Sequence, residues 1–91
     1  MMLEFSFNGT DYGVSFRSNS MCMYPTLYRM NAAGEWRYVQ ESRTGYNGYC
    51  VHEMAIGLIG EYPELEARFD GLTAEDMGCC IELCCDCGCN D

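Results

Sequence analysis

The sequence predicts an α+β fold, a four-stranded antiparallel β-meander made of two hairpins and followed by two or three helices packed on one face. Three observations carry that expectation. Apolar and polar residues alternate on both sides of Asn8-Gly9, and a second pair of strand-like runs flanks Asn31-Ala32-Ala33-Gly34. Beyond Gly45 the apolar spacing changes to the three-and-four pattern of a helix. No repeat, linker or low-complexity stretch interrupts residues 1–91, so one compact domain is expected over that length.

In the first hairpin Leu3, Phe5 and Phe7, then Tyr12, Val14 and Phe16, share one apolar face. A two-residue Asn8-Gly9 turn and a longer loop over residues 8–11 both preserve that face, because their registers differ by two residues. Residues 18–20 form a polar break, and Pro25 confines a strand there to an edge or to a start after the proline. Residues 26–30 and 35–41 make the second hairpin. Its expected pairs are Leu27 with Tyr38 and Arg29 with Trp36 on one side, Thr26 with Val39 and Tyr28 with Arg37 on the other. Neither side is purely polar. A sheet partly covered on both faces accounts for that, and so does an exposed patch of aromatics and arginines that meets a partner.

Asn47 is placed to cap a helix in which Val51, Met54, Ala55 and Leu58 form the buried stripe, with Gly60 at its end and Pro63 beyond. Gly57 inside that helix costs about 1 kcal/mol relative to alanine, which points to a close approach of something to its backbone. Residues 62–69 make a short second helix with Pro63 at its first position and Leu65 and Phe69 on one face. Thr73 followed by Glu75 and Asp76 signals a third start, leading into residues 78–91.

Charge divides the chain. Residues 1–52 hold four acids and four arginines, whereas residues 53–91 hold ten acids against Arg68, so the whole net charge of −9 falls in the second half. Such a field repels nucleic acid and anionic membrane and draws in basic surfaces. Residues 1–7 lack both a basic segment and an apolar run long enough for a signal peptide, and no stretch approaches the ~20 apolar residues that span a bilayer. The expected location is therefore the cytoplasm. There the eight cysteines are thiols or metal ligands rather than disulfides.

Six of those cysteines fall within residues 79–89. Cys84-x-x-Cys87, Cys85-x-Cys87 and Cys87-x-Cys89 are spacings at which soft thiolates chelate zinc or copper, and over these eleven residues the chain resembles a fragment of metallothionein. That resemblance implies a soft-metal domain using Cys84, Cys85, Cys87 and Cys89, with zinc as the cofactor. Helical phase argues the other way. Met77, Cys80, Ile81, Cys84 and Cys87 form one apolar stripe, while Cys79, Glu82 and Asp86 share the opposite acidic face. Buried cysteine commonly acts as a small hydrophobe, and nearby acids disfavour the thiolate. The preferred expectation is thus no cofactor, with zinc the alternative.

An enzyme is not expected. There is one histidine, Ile56 stands where a His52-Glu53 metalloprotease helix needs its second histidine, and Cys50 and His52 point to different sides of the helix. What remains is the acidic surface. Glu75, Glu82 and Asp86 form a row, extended by Glu61, Glu64 and Asp70, whose spacing imitates that of nucleic-acid phosphates, while Trp36 and Tyr38 offer aromatic contacts. The expected function is that of a small non-catalytic protein that binds and inhibits or regulates a basic, nucleic-acid-binding protein. In size and charge it is similar to the inhibitors that bacterial viruses make against restriction or CRISPR machinery.

Overall fold

Alternating residues become strands β1 (Met2–Phe7) and β2 (Thr10–Asn19) in the computed structural model, which describes residues 2–19, 21–73 and 75–77. Of the two turns the alternation permits, the shorter one forms. Asn8 and Gly9 both adopt left-handed backbone, with φ of 52° and 79°, and this matches the twist of the flanking strands. Phe7 then pairs with Thr10, Phe5 with Tyr12 and Leu3 with Val14.

The next strand, β3 (Cys22–Met30), corrects the expectation about Pro25. It begins before the proline and is interior, since the sheet order follows the chain through β4 (Trp36–Glu41), antiparallel throughout. The proline is tolerated because of where its backbone points. Pro25 pairs with Phe16, yet its carbonyl accepts from the Ser42 N–H at 2.9 Å on the β4 side. A residue's N–H and C=O share a side of a strand, so the missing donor removes nothing from the β2–β3 ladder.

The register of the second hairpin is also corrected. The loop is one residue longer than expected, because the Asn31 carboxamide accepts from the N–H groups of Ala33 and Glu35, both at 2.9 Å, and the Asn31 N–H bonds the Glu35 carbonyl. Glu35 therefore belongs to the turn, and Met30 pairs with Trp36, Arg29 with Arg37 and Tyr28 with Tyr38. A one-residue slip exchanges faces. A bulge then restores the core: Leu27 pairs with Gln40, and the extra residue, Val39, packs against the buried cluster.

Helix α1 spans Val51–Gly60 and α2 spans Pro63–Arg68. The cap of α1 is Cys50 rather than Asn47, its Sγ accepting from the Glu53 N–H at 3.4 Å. The chain between them turns at Gly48, whose φ is +87°, which delays the helix by three residues. Pro63 takes the first position of α2 as expected. Ala55, Leu58, Ile59 and Leu65 share one core with Phe5, Tyr12, Val14 and Leu27. Phe69, just past α2, sets its ring edge-on to Tyr12 with centroids 4.7 Å apart and tilts against Phe5 and Phe7. Thr73 and Asp76 cap one another reciprocally ahead of a 3₁₀ turn, Glu75–Met77, that buries Met77. The expected stripe of Cys80, Cys84 and Cys87, the candidate ligands Cys84, Cys85, Cys87 and Cys89, and the carboxylates Glu82 and Asp86 lie outside the described residues.

Candidate functional site

Tyr46 fixes one wall of the site. Its backbone forms an isolated bridge with Met23, N–H to carbonyl in both directions at 2.8 and 2.9 Å, so the residue is held to β3 although it lies in the link before α1. Its ring rests on Gly57, where an added Cβ would lie 2.9 Å from the Tyr46 Cζ. That is the close approach a glycine in mid-helix implies.

At the far end of the ring, Glu61 gathers the link onto the end of α1. Glu61 Oε2 accepts from the Tyr46 hydroxyl at 3.1 Å and from Ser42 Oγ, and Oε1 accepts from the Arg43 N–H at 2.9 Å. Arg43 in turn lies over the Tyr62 ring, 4.8 Å from its centroid. Partial burial, together with the neighbouring Glu61 carboxylate, pushes the Tyr46 phenol up to about 12.

Outside this wall runs a groove along α1. It consists of two open depressions of about 530 and 490 Å³ that meet at Ile56 and Leu72. Tyr46, Tyr49 and Gly57 line the first, and Ile59, Ala67 and Gly71 the second. Tyr49 stands edge-on to Tyr46 with centroids 5.6 Å apart and leaves half of its own surface exposed. Among the described residues every charged side chain in the lining is a carboxylate: Glu53 in the first depression, Glu66 and Asp70 in the second. An apolar floor with an acidic rim suits the apolar stripe of a basic, amphipathic segment.

The acids singled out in the sequence fall in different settings. Asp70 lines the groove, Glu64 is exposed on α2, and Glu75 is exposed in the 3₁₀ turn. Glu61 is half-buried, with both oxygens engaged inside the fold. Sequence reasoning missed Tyr46, Tyr49, Ile56, Glu66 and Leu72. Only Ile56 carried a signal, as an apolar residue beyond the Val51–Met54–Ala55–Leu58 stripe.

Trp36 and Tyr38 share the opposite side of the sheet from Leu27. There Tyr38 is 60% exposed and stands edge-on to Tyr28, with centroids 6.3 Å apart. Trp36 is half-buried because its ring reaches over Gly13, where an added Cβ would meet the Trp36 ring at 3.2 Å and the Met2 thioether closer still. This small cluster covers part of that face. Trp36 and Tyr38 are not brought together with the carboxylates of α2.

The start of α1 buries two further side chains that could carry chemistry. Cys50 is inaccessible, and His52 is 6% exposed, its Nδ1 without a hydrogen-bond partner among the described residues and its ring bonded to the Met77 backbone. Burial lowers the His52 pKa. Among the described residues no three His, Cys, Asp or Glu side chains converge as a ligand set, and no helix is long and apolar enough to cross a membrane. Compared with protein-family models, curated proteins and solved structures, the chain matches none.

Proposed function

We propose that this chain is a non-catalytic interaction domain that receives a basic, amphipathic segment of a partner protein in the groove along α1. The observation that carries the reading is the composition of that groove, an apolar floor at Ile56, Gly57 and Leu72 whose charged lining residues, among the described residues, are Glu53, Glu66 and Asp70. The reading takes both helices to lie on the sheet face that carries Val14 and Leu27, which their shared core supports. The floor is then backed by packed structure and holds its shape without the partner, which lowers the ordering cost of binding. Glu64 and Glu75, exposed on the same half of the chain, extend the negative field that steers a cationic partner toward it.

The class of partner that displays basic amphipathic segments includes nucleic-acid-binding proteins. On this reading the chain occupies such a surface in the cytoplasm and blocks or regulates it, with neither a cofactor nor contact with nucleic acid. Isothermal titration with a model amphipathic helix of leucine and lysine, and with its glutamate-for-lysine counterpart, tests the chemistry. The lysine peptide is expected to bind, and to weaken steeply as added salt shortens the Debye length from about 10 Å to about 3 Å. Equal affinity for the two peptides, or indifference to salt, would defeat the proposal.

A further inference from the structure

The two edges of the sheet are finished differently. Just past β4 the Ser42 N–H turns inward to the Pro25 carbonyl, so the backbone groups of the preceding Glu41 turn out. Both are taken: the Tyr38 hydroxyl accepts from the Glu41 N–H at 3.1 Å, and the Tyr62 hydroxyl donates to the Glu41 carbonyl at 2.8 Å. These contacts and the bulge at Val39 blunt that edge.

Among the described residues, β1 has no such cover. Followed across the sheet, the alternation that turns Pro25 toward β4 turns its partner Phe16 toward β1, and with it Val14 and Tyr12. Leu3, Phe5 and Phe7 therefore bond β2, while the N–H and C=O groups of Glu4 and Ser6 point away from the sheet. Among the described residues no donor or acceptor meets those outward groups. The strand pairs with β2 without a break from Met2 to Phe7 and holds no proline. Its outer edge is a straight template for one more strand.

Side chains along that edge select the strand it takes. On one face Leu3 and Phe7 are half-buried at the rim of the core, and on the other Glu4 and Ser6 are exposed. The 3₁₀ turn Glu75–Met77 packs against β1 and adds the exposed carboxylates of Glu75 and Asp76. A second copy of β1 is a poor match, because it sets these acids against their own images. We propose that the outer edge of β1 is a docking surface at which an extended segment of a partner protein, alternating basic and apolar residues, adds a strand to the sheet. Main-chain bonds to Glu4 and Ser6 hold the segment, its basic residues lie beside Glu4, and its apolar residues lie beside Leu3 and Phe7. This surface is separate from the groove along α1 and does not rest on the reading of that groove.

The probe is a short peptide alternating valine and lysine, titrated into the full chain and followed by nitrogen-15 shifts and amide hydrogen exchange. At saturation the largest shifts are expected on β1, and exchange of the Glu4 and Ser6 amides should slow by about tenfold or more. Two methylated forms keep the charge of the probe but lose donors. Methylation of the lysine backbone nitrogens, which face β1, should weaken binding by more than about tenfold, whereas methylation of the valine nitrogens, which face away, should leave it unchanged. Glu4→Pro removes an outward donor from an edge strand and should abolish binding. The methylated peptides need no variant, so the test stands even if Glu4→Pro fails to fold. Glu66→Gln with Asp70→Asn, in the groove, should change the affinity of this probe by no more than about twofold. Absence of binding, equal affinity of the two methylated forms, shifts centred on Tyr49, Ile56 and Gly57, or protection of the Glu4 and Ser6 amides that tracks dimer formation in the free chain would overturn the proposal.

Discussion

The hydroxyl of Tyr46 lies against the bare Cα of Gly57 and donates to Glu61 Oε2 at 3.1 Å. One side chain thereby ties the link after the sheet to the middle and to the end of α1. It also forms a wall of the groove, so the packing and the proposed function depend on the same contact.

Gly57→Ala should destabilise the fold although alanine is the better helix former. The gain in helix propensity is about 1 kcal/mol, but the new methyl would displace a ring held at its backbone by Met23 and at its hydroxyl by Glu61, and overpacking of this kind costs about 1–3 kcal/mol. In a Tyr46→Ala background the sign should reverse, with alanine at position 57 stabilising by up to about 1 kcal/mol. Urea unfolding of the four proteins in that cycle decides it.

Alkaline pH should loosen the same corner. The Tyr46 phenol titrates near 12, above its ordinary value of 10.0, so the fold prefers the protonated form. Its contribution is complete below pH ~10 and is lost as pH rises through the folded value, where deprotonation places a second negative charge beside Glu61. Tyr46→Phe should therefore show a flatter fall in unfolding midpoint between pH ~10 and ~12 than the unaltered chain, and ultraviolet titration should lose one late-titrating phenol.

On the other side of the sheet, Gly13→Ala should disturb Trp36 selectively. The added Cβ meets the end of the Met2 side chain, which can move, and the Trp36 ring, which packs across the strand. About 1 kcal/mol of destabilisation is expected. Because Trp36 is the sole tryptophan, its fluorescence should shift to the red as the ring is lifted into water.

Charge at the groove should govern affinity for a cationic peptide more than charge elsewhere. Glu66→Gln with Asp70→Asn, both at exposed positions, should leave stability within about 0.5 kcal/mol and weaken the lysine peptide, chiefly through a slower on-rate and a shallower salt dependence. Glu4→Gln with Glu35→Gln, both at exposed positions in the sheet region, carries the same change of charge outside the groove lining and should have little effect. Stopped-flow association at several salt concentrations separates the two.

The strands were legible because alternation is local. Leu3, Phe5 and Phe7 face Tyr12 and Val14 under either turn, and the structure only chose between them. Pairing in the second hairpin was not legible, since it depends on the Asn31 side chain taking the Glu35 N–H, a choice that apolar pattern does not record. The cap of α1 was misplaced for a related reason: Asn47 has the better capping side chain, but Gly48 turns the chain and leaves that position to Cys50. Gly57 was read correctly as a close approach, though its neighbour Tyr46 was not named. The groove was hidden because it unites residues 46–57 with residues 59–73, and no single segment displays both its floor and its rim.

Docking of the partner in the acidic groove along α1 can be mapped residue by residue. The most direct measurement is nitrogen-15 shift mapping of the chain titrated with the leucine–lysine helix, repeated on the Glu66→Gln, Asp70→Asn variant. The largest shifts are expected to cluster at Tyr49, Ile56, Gly57 and Leu72 and to shrink in the variant. Shifts centred on Trp36 and Tyr38, or none at these four residues at saturating peptide, would contradict it.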